Sequence, residues 1–250
     1  VNKYIDRVGL EVECMTSFDF EDDTPDHIND FWKLKEDGSV EADDNDGKYY
    51  PREYASIPFD SMNKLNKETG RLYSECVEYV NSTCGLHIHV SLKEKGYYQR
   101  LANMDFYKHF LHTLELTPMY QLNKLLRSRM TGTNGFCRGI KPEELSRLVG
   151  QEGDRYKLLN WKAYSKFHTL EFRVFPAMHK AESVTQAVRY TTKAINSFLD
   201  AQNIKRLWKE AREITAEEQR TPKKEVITVI AEQPMKKQVI TLSQIARRGF

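Results

Sequence analysis

The segment Val8-Gly9-Leu10-Glu11-Val12-Glu13 alternates apolar residues with small or acidic ones, and the alternation returns at Leu86-His87-Ile88-His89-Val90 and at Leu170-Glu171-Phe172-Arg173-Val174. Successive side chains of a strand point to opposite faces, so each segment reads as a strand that buries one row and presents the other. Placed on one sheet, the polar rows would gather Glu11, Glu13, His87, His89, Glu171 and Arg173. Carboxylates and imidazoles ligate divalent ions, and a guanidinium grips phosphate through a forked pair of donors. The economical reading is a sheet whose polar face cradles a metal-bound nucleotide.

Composition sets the bounds. A chain of 250 residues with 40% hydrophobic content suffices for one large core. The net charge of +2 gives no reason to expect nucleic acid as a partner. Residues 19 to 46 are acidic and residues 205 to 248 basic, which a solvated loop and a solvated helix face explain. The four cysteines include no C-x-x-C pair and are too sparse for a disulfide scaffold, so a reducing compartment fits. No apolar run has the length of a membrane span and no basic-then-apolar signal opens the chain. These features lead us to expect a soluble, cytoplasmic protein.

Outward from the three segments, Asp37-Gly38-Ser39-Val40 reads as a turn followed by a short strand, and residues 48 to 58 as a strand carrying Glu53. Met62, Leu65, Leu72, Cys76, Val77 and Val80 fall at helical spacing, with Asp60 or Ser61 as N-cap. Helices are expected near 103–117 and 118–130, the second starting at Pro118, with a loop from Thr131 to Gly139 flanked by Arg127, Arg129 and Arg138. A short helix near Pro142 follows, then the Glu-x-Arg strand over 168–176, an amphipathic helix over 181–199, a charged helix over 203–219 and a Lys-rich tail. Two-faced strands separated by helices favour an α+β fold, with a mostly antiparallel sheet covered on one side. Residues 1–200 would form the main domain and 201–250 a helical, basic extension.

Each pair has a bland reading. Glu11 and Glu13 could face solvent, but Gly9 on the same row clears room for a ligand. His87 and His89 could be structural, or could bind zinc with a third ligand borrowed from Glu11, Glu13 or Glu53. A mixed carboxylate and imidazole set beside phosphate suits Mg²⁺ or Mn²⁺ better. Glu171 and Arg173 alone would be a surface ion pair worth little. Arg127, Arg129, Arg138 and Arg155 are candidates for phosphate, with Tyr156 and Asn160 weaker candidates beside them.

The order Gly9-x-Glu11-x-Glu13, Asp37-Gly38-Ser39, Glu53-Tyr54-Ala55-Ser56-Ile57-Pro58, Cys84-Gly85-Leu86-His87-Ile88-His89-Val90, Arg129 to Arg138, Arg155-Tyr156 to Asn160 and Thr169-Leu170-Glu171-Phe172-Arg173-Val174-Phe175 resembles the amidoligase family. That family is a branch of the carboxylate-amine ligases related to glutamine synthetase and glutamate-cysteine ligase. The resemblance covers about residues 5 to 200. It implies a glutamine-synthetase-like catalytic domain, with a curved, mostly antiparallel sheet, helices on one face, and ATP with two or three divalent ions on the other. By that likeness Glu11, Glu13, His87 and Glu171 ligate metal, and Glu53 is a further metal or amine-site carboxylate. His89 and Arg173 would face phosphates, while Arg129, Arg138 and Arg155 would grip phosphate or a substrate carboxylate. Relatives carry adjacent arginines where Ser128 here separates Arg127 from Arg129, so the phosphate role falls to one of those two.

The implied reaction is ATP-dependent amide or isopeptide formation through an acyl phosphate, with Arg173 and Arg129 offsetting charge and Glu53 taking the amine proton. The substrates would be a small-molecule or peptide carboxylate and amine, a modified nucleobase included, and the protein could form a homo-oligomer. Three alternatives stand beside it: a guanidino-type phosphotransferase on the same fold, a metal-dependent hydrolase, and a non-enzymatic binding module that uses the basic tail.

Overall fold

The three alternating segments lie side by side in one sheet. The computed structural model describes residues 3–20, 23–42, 48–135, 137–149 and 155–220, so the Lys-rich tail lies outside the described residues. In chain order the elements begin β1 (Ile5–Thr16), a single turn α1 (Asp26–Asn29), β2 (Trp32–Glu36), β3 (Tyr50–Ser56), α2 (Met62–Glu75) and β4 (Gly85–Leu92). The helices α3 (Lys95–Leu101), α4 (Met104–Glu115), α5 (Pro118–Leu122) and α6 (Lys124–Met130) follow, then the short strands β5 (Thr133–Asn134) and β6 (Cys137–Arg138). The described chain ends with α7 (Leu145–Val149), β7 (Leu159–Asn160), α8 (Ala163–Phe167), β8 (Leu170–Pro176) and α9 (Ala181–Arg220).

The fold is mixed α+β. Its main sheet has six strands in the order β2-β3-β1-β4-β8-β7, every neighbouring pair antiparallel. Val8, Leu10 and Val12 of β1, Leu86, Ile88 and Val90 of β4, and Leu170, Phe172 and Val174 of β8 are all fully buried. Helix α4 covers this apolar side by stacking Phe106 and Phe110 against Phe172, with ring centroids 6.4 and 4.8 Å away. Phe198 of α9 closes on Phe106 at 5.3 Å. Each such side chain contributes roughly 1.5–3 kcal/mol of burial free energy, so the apolar row holds the sheet in register. β-Bulges interrupt the pairing in β1 between Ile5 and Arg7, and in β8 between Phe172 and Phe175. The second adds one residue after Arg173 and so returns Phe175 to the apolar side, opposite Leu86.

Several expectations need correction. A strand not foreseen, β2, precedes the turn at Asp37: Trp32 and Leu34 supply its buried row, and the Asp37 carboxylate then accepts from the backbone and hydroxyl of Ser39. Residues 40–42 after the turn are not strand, and 43–47 lie outside the described residues. Ser61 caps α2, but the helix stops at Glu75, because Tyr79 is drawn back to pair with Met15 at the end of β1. The expected helix over 118–130 is two helices, with Asn123 closing α5 and its side chain capping α6. No glycine or proline interrupts residues 199–203, and α9 runs unbroken through the expected break. Chain contacts divide the molecule into residues 1–202 and a second unit from Asn203 onward. Among the described residues no helix is long and apolar enough to cross a membrane.

Candidate functional site

Strand register, not sequence proximity, assembles the polar side of the sheet. Glu11 of β1 lies opposite His87 of β4, and Gly9 opposite His89. On the other flank Glu13 faces Glu53 of β3, which in turn faces Lys35 of β2. His89 faces Glu171 of β8, and Glu171 faces Asn160 of β7. Side chains from all six strands therefore reach one floor.

His87 sits at the centre of that floor and is 4% exposed. Its Nδ1 is 3.1 Å from Glu11 Oε2 and 3.7 Å from Glu171 Oε1, while its Nε2 is 3.5 Å from Glu13 Oε1. Arg173 Nη1 donates to Glu171 Oε1 at 2.6 Å and also lies 3.4 Å from His87 Nδ1. One ring nitrogen cannot donate to Glu11 and accept from Arg173 together, and the shorter Glu11 contact identifies Nδ1 as a donor. Asn160 Nδ2 donates to Glu171 Oε2 at 2.6 Å, and Lys35 Nζ to Glu53 Oε1 at 3.0 Å. His89 Nδ1 is 3.0 Å from Thr169 Oγ1, whereas its buried Nε2 makes no hydrogen bond and lies 3.4 Å from Glu11 Oε2.

These contacts shift the titrations. Burial pushes the Glu11 carboxyl up, but the imidazoles of His87 and His89 reverse this and hold it well below the usual carboxylate range. Burial and the charge of Arg173 push His87 down, yet the bond to Glu11 and the charges of Glu13 and Glu171 raise it overall. Glu53 is raised, chiefly by burial and then by the charge of Glu11, against the opposing pull of Lys35. Carboxylates crowded this closely repel one another, an arrangement that a bound cation would relieve.

The glycine that matters sterically is Gly85. A Cβ there would stand 3.0 Å from Glu13 Oε2 and 3.2 Å from both Arg129 Nη1 and His87 Nε2. At Gly9 the nearest atoms would be at ordinary contact, 3.6 Å to His89 Cβ and 4.0 Å to Ser56 Oγ, so a methyl there would be accommodated without displacement.

A cleft of about 870 Å³ opens over the floor, within the range of small-molecule sites. Glu11, Glu53, His87, His89, Glu171 and Arg173 line its base, and Lys35, Arg155, Lys162 and Lys166 bring cations to its walls. Arg155 is exposed and rests on Tyr156, donating to its hydroxyl at 2.7 Å. The other arginines lie elsewhere. Arg129 is buried and donates to the carbonyls of Phe175 and Cys84, at 2.9 Å each, which pins the ends of β8 and β4 behind Glu13. Arg127 holds the carbonyls of Tyr120 and Gln121, and the exposed Arg138 extends β6, its backbone paired with Tyr156 and Leu158. None of these three lines the cleft. Sequence reasoning missed Lys35, Lys162, Lys166 and Thr169. The alternation Trp32-Lys33-Leu34-Lys35 carried the signal for Lys35, but its pairing opposite Glu53 does not follow from spacing.

Two overlapping trios are placed to hold divalent ions: Glu11, His87 and Glu171, and Glu13, Glu53 and His87, with candidate ligand atoms within 4.8 Å of one another in each. The donor chemistry fits Mg²⁺ or Mn²⁺, being mostly carboxylate oxygen with one shared imidazole, and the unbonded Nε2 of His89 adds a donor beside Glu11. No family model, no curated protein and no solved structure matches this chain.

Proposed function

We propose that this protein is an ATP-dependent carboxylate-amine ligase, built on a glutamine-synthetase-like sheet and using Mg²⁺ or Mn²⁺. The observation that carries the reading is the convergence of Glu11, Glu13, Glu53, His87 and Glu171 beneath a cleft large enough for a nucleotide, whose walls carry Lys35, Arg155, Lys162 and Lys166 as well as Asp37 and Glu41. A solvent-facing sheet has no need of four carboxylates around one buried imidazole.

In this reading Glu11, His87 and Glu171 hold one ion, and Glu13 and Glu53 hold a second. The metal-nucleotide supplies the phosphoryl group that activates the substrate carboxylate. Arg173, anchored on Glu171, keeps its charge at the base of the cleft where phosphate oxygens would lie. Lys162, Lys166 and Arg155 on the walls orient the rest of the polyphosphate. Glu53 is engaged by the second ion, and the departing phosphate takes the proton released by the attacking amine. Arg129 acts from behind, by fixing the ends of the strands that carry His87 and Glu171.

The test is Mg²⁺-dependent ATP binding and ADP release by the purified chain. Glu11→Gln and Glu171→Gln are expected to lower turnover by about 100-fold or more while the fold persists. Full activity in Glu171→Gln, or an activity needing Zn²⁺ and no nucleotide, would overturn the proposal.

A further inference from the structure

A ligase must bring an organic substrate and a nucleotide to the same ions, and a second hollow opens off the floor on the far side of Glu11 and His89. Its volume is about 360 Å³, and it shares Glu11, Lys35, His89 and Phe167 with the main cleft. Its character differs from that of its neighbour. Gly9, Ala55 and Pro58 give it a low, uncharged surface. The hydroxyls that reach it are already engaged: Ser56 Oγ accepts from Leu10 N at 2.8 Å, Ser91 Oγ accepts from Arg7 N at 3.0 Å, and Thr169 Oγ1 bonds His89 Nδ1. Polar groups satisfied within the fold leave their carbon atoms to meet a ligand. Phe167 stands at the edge, 52% exposed, with its ring set edge-on to His89. At the outer mouth Asp6 and Arg7 face each other at 3.8 Å, beside the β1 bulge.

We propose that this hollow receives the uncharged body of the amine or carboxylate partner, with its reacting end toward Glu11 and His89, while the larger cleft takes the nucleotide. This rests on the ligase reading above. The division follows from charge. A polyphosphate belongs where Arg155, Lys162, Lys166 and Arg173 gather, and an aliphatic or aromatic body belongs where carbon surface lies between charges that are already paired, Arg7 with Asp6 and Lys35 with Glu53. The space suffices, since a cavity of roughly 150 Å³ already admits benzene. A substrate charged along its length would lose its water there without gaining partners.

The experiment uses the full chain with Mg²⁺ and a non-hydrolysable ATP analogue. Benzoate, benzylamine and butyrate serve as apolar-bodied probes and succinate as a probe charged at both ends, with binding read by ligand-observed NMR. Benzoate or benzylamine is expected to bind and succinate not to. Gly9→Leu and Ala55→Leu, two independent fillings of the hollow, are expected to weaken the probes about 10-fold or more and leave the nucleotide's affinity unchanged. The inference is overturned if the fillings displace the nucleotide instead, if succinate binds as well as benzoate, or if no apolar-bodied probe binds. Failure of the wild-type chain to bind the nucleotide with Mg²⁺ would instead remove the ligase reading, an outcome read separately from the probes.

Discussion

The two faces of the central sheet use the same strands to opposite ends. On β8, Leu170, Phe172 and Val174 are buried among rings and aliphatic chains, and each strengthens the fold. Between them, Glu171 and Arg173 pair with each other on a floor where four carboxylates gather about the buried His87. The first face is satisfied by the protein alone. The second is satisfied only in part, and that residual deficit is what the proposed cation and phosphate would meet. Stability and chemistry should therefore separate by face, and four expectations probe the separation.

Phe172→Ala removes a side chain packed by Phe106 and Phe110 and is expected to cost about 3–5 kcal/mol in chemical denaturation. Ion binding by the fraction still folded should be unchanged. Gly85→Ala comes next. Its methyl would press on Glu13, Arg129 and His87, so a loss of about 1–3 kcal/mol and weaker Mn²⁺ binding are expected, whereas Gly9→Ala should change neither by much.

The third expectation concerns pH. A raised His87 pKa means that the ion-free fold gains stability below the ordinary imidazole value of 6.5 and loses that gain as pH rises through the higher folded value. Metal must displace the same proton, so ion affinity climbs over that window. Melting temperature without ions and Mn²⁺ affinity should thus move in opposite directions with pH, and parallel trends would contradict the assignment. The smallest effect is expected at Glu53. Its raised pKa means that ionisation opposes folding, so its contribution declines as pH rises from the carboxylate range through the folded value. Glu53→Gln should leave the ion-free protein as stable or more so, by up to about 1 kcal/mol at neutral pH, while ions protect the variant less.

The contrast between the faces was legible in the sequence, because period-two alternation is local and needs no partner to be read. Glu11, His87 and Glu171 could be placed on one kind of face from their own neighbours. Which strands adjoin is non-local, and the opposition of Lys35 to Glu53 or Asn160 to Glu171 emerged only with the register. The arginines show the limit most plainly. Clustering around the 131–139 loop and the family resemblance suggested phosphate for Arg129 and Arg138, but the packing of α6 turns Arg129 to the carbonyls of Phe175 and Cys84, and β6 carries Arg138 to the surface. A helical side chain's target depends on how the helix docks, which spacing does not state.

The most direct test of the account is a Mn²⁺ titration of the full chain in the presence of ATP, followed by electron paramagnetic resonance, with the Glu11→Gln/Glu171→Gln double variant alongside. Saturable uptake by the wild type that the folded double variant loses is the expected result. Equal uptake by the two proteins would contradict the claim that this face of the sheet is an ion-binding floor.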